Sequence, residues 1–233
     1  MLGRILTAGL IGGLLGGAII AVFQTVTTIP LILEAETCET AEHFSLLHLV
    51  HAVDHVHAAG GVGDLERFGL TLVATIAVAT GCAWMLLAAM FARGEAIDAR
   101  GVVPWALAAF FAAGLAPSLG LPPALSGTAT ADLVARQLWW LFAAVASAGG
   151  LAAIFFGRTK RWTLLGLAAI VLPHLIGAPR PDEANGGVPA GIAAQFVSAS
   201  LFVQLLMWIV PGAIAGYVVS QWKAPWRFRD LRN

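Results

Sequence analysis

Residues 5–33 read ILTAGLIGGLLGGAIIAVFQTVTTIPLIL, and the run contains no charged side chain. A helix needs about 20 apolar residues to cross the hydrocarbon core of a bilayer. This run exceeds that requirement and is too long for the apolar region of a cleaved signal peptide, although Arg4 precedes it. Gly9, Gly13 and Gly17 recur at every fourth position. That spacing places them on one helical face, where their small size lets a second helix approach closely. The stretch therefore predicts a retained membrane-spanning helix.

The rest of the chain repeats the pattern. Five further charge-free runs cover 68–92, 101–131, 137–157, 162–179 and 184–222. Spans are expected near 5–28, 67–92, 102–119, 137–157, 162–178 and 192–219, with Pro211 as a kink in the last. Across 233 residues, 59% are hydrophobic and 11% charged, and the mean hydropathy is +0.84. Soluble domains carry roughly 25% charged residues, so this chain needs an apolar solvent for its surface. In lipid every backbone polar group must be paired within the protein. Long unbroken apolar runs then favour helices over a barrel, whose strands would alternate polar and apolar residues. The expected fold is an all-α, polytopic membrane helix bundle of about six transmembrane helices, forming one integral membrane domain over 1–233.

Charge sorts along the chain, although the formal net charge is zero. Six spans divide the polar segments into two sets. One set holds Arg4, Arg93, Arg100, Arg158, Lys160, Arg161, Lys223, Arg227, Arg229 and Arg232, leaving only Arg67, Arg136 and Arg180 to the other. Cytoplasmic loops collect Lys and Arg, so both termini are expected inside, with 223–233 a basic cytoplasmic tail. The opposite set holds most of the acids: Glu34, Glu36, Glu39, Glu42, Asp54, Asp64, Glu66, Asp132, Asp182 and Glu183. An acidic outer face raises the local concentration of cations. The balanced total charge points to no nucleic-acid partner.

The acidic and histidine-rich segment 34–66 is expected to be extracytoplasmic. Residues 34–57 read EAETCETAEHFSLLHLVHAVDHVH and carry five of the chain's six histidines, His43, His48, His51, His55 and His57. On a helix His48, His51 and His55 fall within about 60° of one another. Leu46, Leu49, Val50, Val53 and Val56 fall on the opposite side, so the stretch predicts an outer amphipathic helix with an imidazole stripe. Imidazole nitrogen together with carboxylate oxygen suits divalent transition metals such as cobalt, nickel, zinc and copper, and nothing in the segment names one of them. Glu34, Glu36, Asp54 or Cys38 can add ligands. The bland reading is a solvated helix that uses histidine on its polar face. Cys38 and Cys82 fall at different depths, which argues against a disulfide between them.

Other polar features are sparser. His174 lies about one turn from the outer end of the fifth span, just after Pro173. An ionisable residue at such a place faces a cavity or bonds a neighbour. The last span holds Gln195, Ser198, Ser200 and Gln204, as a polar path or as interhelical glue. The stretch 114–127, GLAPSLGLPPALSG, cannot be one continuous helix and reads as a lid-like, re-entrant or connecting segment. Arg136, Gln137, Trp139 and Trp140 follow it, with the tryptophans as ordinary interfacial anchors. The chain has no GxxxxGK[ST] loop, no HExxH and no suitably placed GxSxG.

The segments PLILEAE (30–36), LAPSLGLPP (115–123), ADLVARQLWW (131–140) and PHLIGAP (173–179) resemble the cobalt transporter subunit CbtA family, in order and over nearly the whole chain. The resemblance implies a bacterial inner-membrane protein that imports cobalt for cobalamin synthesis. It also implies a small single-span partner with a His-rich end, CbtB. The chain departs from the family pattern at Ala124, where Glu is expected, and at Ser126, where Pro is expected.

Three functions follow in order. The first is a membrane subunit for divalent metal uptake that captures Co²⁺, or Ni²⁺, on the periplasmic side through His43, His48, His51, His55, His57, Glu34, Glu36 and His174. No tightly bound cofactor is expected, and the metal is cargo. The second is a non-transporting scaffold that docks a small partner. The third is a membrane enzyme, ranked last because no base and substrate pocket occur together.

Overall fold

The computed structural model describes residues 2–47, 62–181 and 187–222. They form α1 (Leu2–Val26), α2 (Thr28–Leu47), α3 (Val62–Arg93), α4 (Val102–Phe110), a π-turn (Phe111–Leu115), α5 (Ala116–Ser118), α6 (Leu133–Phe156), α7 (Lys160–Ile176) and α8 (Ala190–Gln221). No strand occurs among the described residues. Four helices are long and apolar enough to cross a membrane: Leu2–Val26, Leu65–Arg93, Leu133–Phe156 and Ala190–Gln221. Val102–Ser118 is a shorter apolar helix, and α7, at 17 residues, lies at the lower limit of spanning length. The architecture is that of a polytopic membrane helix bundle.

Two glycine stripes on α1 set the centre of the bundle. Gly9, Gly13 and Gly17 face α3 against Trp84, Thr80 and Ile76, as their spacing predicts. Gly12 and Gly16 face α8 against Ala215 and Pro211. A methyl group on Gly17 would come within 2.6 Å of the Ile76 Cα, and one on Gly16 within 2.8 Å of the Pro211 Cα. Backbones approach this closely only where side chains are absent. Dispersion contacts then supply the packing energy that water-driven burial cannot supply within lipid. Beside the stripes, Ala8, Ala83, Leu87 and Ala215 form one buried cluster, and Leu86, Met90, Val102 and Ala106 form a second. Thr75 Oγ1 donates to Gln24 Oε1 at 2.9 Å and ties α3 to α1.

The link from α1 to α2 is a single residue, Thr27. The second helix therefore starts at Thr28, earlier than the polar segment suggests. Pro30 fits in its first turn because N–H groups there have no partner within the helix. Thr28 and Ala35 are buried, and α2 packs on α8 and α1. The imidazole stripe of His48, His51 and His55 lies outside the described residues.

The π-turn has a local cause. Pro117 has no N–H to offer the carbonyl one turn back. The Ala116 N–H bonds five residues back, to the Phe111 carbonyl. The helix thus continues through Ser118, and irregular backbone begins at 119. It runs to Asp132, whose carboxylate accepts from the Ala135 N–H at 2.9 Å and caps α6.

The connections gather at two ends. At one end Arg4 approaches the Trp222 ring at 6.0 Å, and Arg93 lies 3.9 Å from the Phe156 ring centroid. Between them the Asp98 carboxylate accepts from the Arg100 and Gly101 N–H groups. At the other end the Gly187 N–H donates to the Gly127 carbonyl at 3.1 Å, and Gly120 packs against Trp139 and Ala178. The α1–α2 junction and the start of α3 share this second end.

Candidate functional site

Three polar features occupy the second end, and α2 carries the first. Glu34, Glu36 and Cys38 follow one another on the helix, and Glu34 is exposed. Glu36 is paired instead, its Oε2 lying 3.0 Å from Arg67 Nη1 on α3. Both partners are open to solvent, which screens the pair and leaves it weak. The backbone of His43 is helical, while His48, His51, His55 and His57 lie outside the described residues. Among the described residues no group of three or more His, Cys, Asp or Glu side chains comes together to hold an ion.

The second feature is the seam between α6 and α7. Gly150 and Gly166 pack against each other's backbone and bring the two helices close. His174 lies in the last turn of α7, next to the fully buried Pro173. Its ring meets that of Trp139 edge to face, with centroids 5.8 Å apart and planes at 71°. His174 Nε2, Trp139 Nε1 and Ser147 Oγ are buried without a hydrogen-bond partner. They are the only such side-chain atoms among the described residues. Burying a polar atom without a partner costs about 1–3 kcal/mol, and a concentration of such atoms on one seam marks a place under functional constraint. A buried imidazole nitrogen without a partner is a candidate ligand for a metal ion.

The third feature is a cavity of about 510 Å³. Leu121, Pro122, Pro123 and Ala124 of the loop line it, together with Arg136, Gln137 and Trp140 of α6, Ser118, and Gln204 of α8; Gln137, Trp140 and Gln204 are exposed. Arg136 belongs to the first turn of α6, while Gln204 lies near the middle of the 32-residue α8. The cavity therefore reaches from the rim of the bundle towards its centre. The Gln204 Oε1 lies where a side chain on Gly114 would be, 2.6 Å from such a methyl group. The π-turn glycine thus makes room for a carboxamide midway along an apolar helix.

Sequence reading singled out the loop 114–127 and Gln204 separately, and took Arg136, Gln137 and Trp140 as the opening of a span. The structure joins them on one cavity. The available signal was a double proline followed by Arg-Gln and a tryptophan pair. The π-turn that aligns Gly114 with Gln204 left no comparable mark.

The family model described as "Probable cobalt transporter subunit (CbtA)" matches residues 2–220. No curated protein and no solved structure matches the chain.

Proposed function

The chain belongs to the CbtA family of cobalt transporter subunits, and from that premise we propose that it is the membrane-embedded subunit of a divalent metal importer. The cargo is Co²⁺, with Ni²⁺ as a second ion. The chain crosses the bacterial inner membrane six times with both termini in the cytoplasm. Capture begins at the periplasmic rim on Glu34, Glu36 and the imidazoles of His43, His48, His51, His55 and His57. His174, with its unpartnered Nε2, offers a later contact. The imported metal serves cobalamin synthesis, and the chain is no enzyme. The word "subunit" in the family's description fits work with a second protein, here a small single-span CbtB-like chain.

The separation of charge between the two ends carries this reading. Arg4, Arg93 and Arg100 collect at the end opposite Glu34 and Glu36. With the basic end inside, the acidic and imidazole end meets external cations and concentrates them. The uptake of radioactive cobalt by cells expressing the chain tests it. The triple change His48→Ala, His51→Ala and His55→Ala is expected to cut uptake severalfold at submicromolar cobalt. Uptake equal to that of the unchanged chain rejects the role of the stripe.

A second reading, a non-transporting scaffold, has one observation in its favour. The α7 helix packs chiefly on α6 and exposes Leu164, Leu165, Leu167, Leu172 and Leu175. A partner's span can cover that face. Purified chain in liposomes that passes no metal yet co-purifies with a partner supports the scaffold.

A further inference from the structure

We propose that the cavity under the 119–132 loop binds an oxyanion, a carboxylate or phosphate group, through Arg136. Its lining holds one guanidinium, the carboxamides of Gln137 and Gln204 and the Ser118 hydroxyl. Among the described residues the lining holds no carboxylate, imidazole or thiol. A bare divalent cation entering this space meets a like charge and no anionic ligand to offset it. An oxyanion meets donors. A guanidinium presents paired N–H groups in the geometry of a carboxylate or phosphate edge.

Three of these polar side chains are also unspent, while the Ser118 hydroxyl donates to the Gly114 carbonyl at 2.7 Å. Among the described residues Arg136 makes no ion pair, the only such pair being Arg67–Glu36. The side chains of Arg136, Gln137 and Gln204 make no hydrogen bond to any described residue. Asp132, one turn before Arg136, uses its carboxylate oxygen on the Ala135 N–H and does not line the cavity. Leu133, the first residue of α6, does line it, but the Asp132 carboxylate caps that end and offsets the helix dipole, which leaves the Arg136 guanidinium as the source of positive field. One oxyanion satisfies the guanidinium at the mouth. The Trp140 ring and the Pro122–Pro123 pair close the apolar sides.

This assignment does not depend on metal capture at α2, since it uses no residue of that segment. Two sources present the same chemistry: a free anion, including a metal carried as a carboxylate chelate, and the phosphate of a neighbouring lipid.

The test uses the full chain in nanodiscs with no metal present. In phosphatidylcholine discs, isothermal titration with citrate and with inorganic phosphate is expected to show one site. Arg136→Gln should weaken it at least tenfold, and Arg136→Lys should weaken it less. Ala124→Glu, which removes nothing but sets a carboxylate in the loop, should also weaken it at least tenfold. Circular dichroism melting establishes that each variant is folded. In discs containing phosphatidylglycerol, native mass spectrometry distinguishes the lipid source. Phosphatidylglycerol retained by the unchanged chain and lost from Arg136→Gln makes the occupant a lipid phosphate and supports the site. If neither soluble anion nor phosphatidylglycerol separates the folded Arg136→Gln and Ala124→Glu variants from the unchanged chain, the proposal is overturned.

Discussion

The α1–α3–α8 centre and the α6–α7 hairpin are both helix packings built on glycine, yet they differ in what they leave unsatisfied. In the centre, two glycine stripes on α1 bring three backbones together, and Thr75 and Gln24 answer each other. In the hairpin, a single Gly150–Gly166 contact joins the helices, and three buried polar atoms lack partners. The centre spends its polar groups on cohesion. The hairpin withholds them, and it borders the cavity that holds Arg136 and Gln204. Structural and functional duties are thereby divided between two parts of one small bundle. That division can be attacked by substitution.

The largest effect is expected from Gly13→Leu. A side chain there meets the Oγ1, Cα and Cβ of Thr80, a short side chain that cannot swing clear of its own backbone. Overpacking of tight cores costs roughly 1–3 kcal/mol where side chains can give way, so a loss of about 3 kcal/mol or more is expected. Unfolding in mixed detergent micelles measures it. Gly150→Leu should cost about 2 kcal/mol by the same overpacking and should act locally. Hydrogen exchange should then rise in Lys160–Ile176 and stay slow in α1 and α3. Fast exchange across all three would erase the distinction between the two regions.

His174→Leu sharpens the contrast from the other side. It removes an unpartnered buried nitrogen, so stability should hold or rise by about 1 kcal/mol, while cobalt uptake falls. Destabilisation would mean that the imidazole is structural. Thr75→Val removes a satisfied hydrogen bond within the centre and should cost about 0.6 kcal/mol, the average for interhelical bonds in membranes. The smallest effect belongs to Glu36→Gln. Its partner Arg67 is half exposed, and such pairs contribute about 0–1 kcal/mol. A change below about 0.5 kcal/mol is expected in the same unfolding assay.

Much of this architecture was legible before any coordinates. Residues 5–33 announced a spanning helix, and the Gly9, Gly13 and Gly17 spacing identified the face that meets α3. The prolines and glycines of 114–127 announced the irregular backbone that follows α5. The start of α2 at Thr28 was less visible, because Thr27 carries no strong helix-breaking signal and Pro30 suits a first turn as well as a loop. The candidate site was legible only in pieces. His174 and Gln204 stood out as polar residues in apolar runs, but nothing local tied His174 to Trp139, or Gln204 to Arg136.

Hydropathy, small-residue spacing and the sorting of Lys and Arg act along a single chain, so the sequence alone determined the helical membrane class, the close-packing stripe and the two chemically distinct ends. Which glycine meets which backbone depends on contacts between residues distant in sequence. So does the orphaning of a polar atom or the opening of a cavity beneath a loop. Those were decided only when the helices packed, because in a bilayer many apolar faces are equivalent until backbone clearance and unspent hydrogen bonds distinguish them.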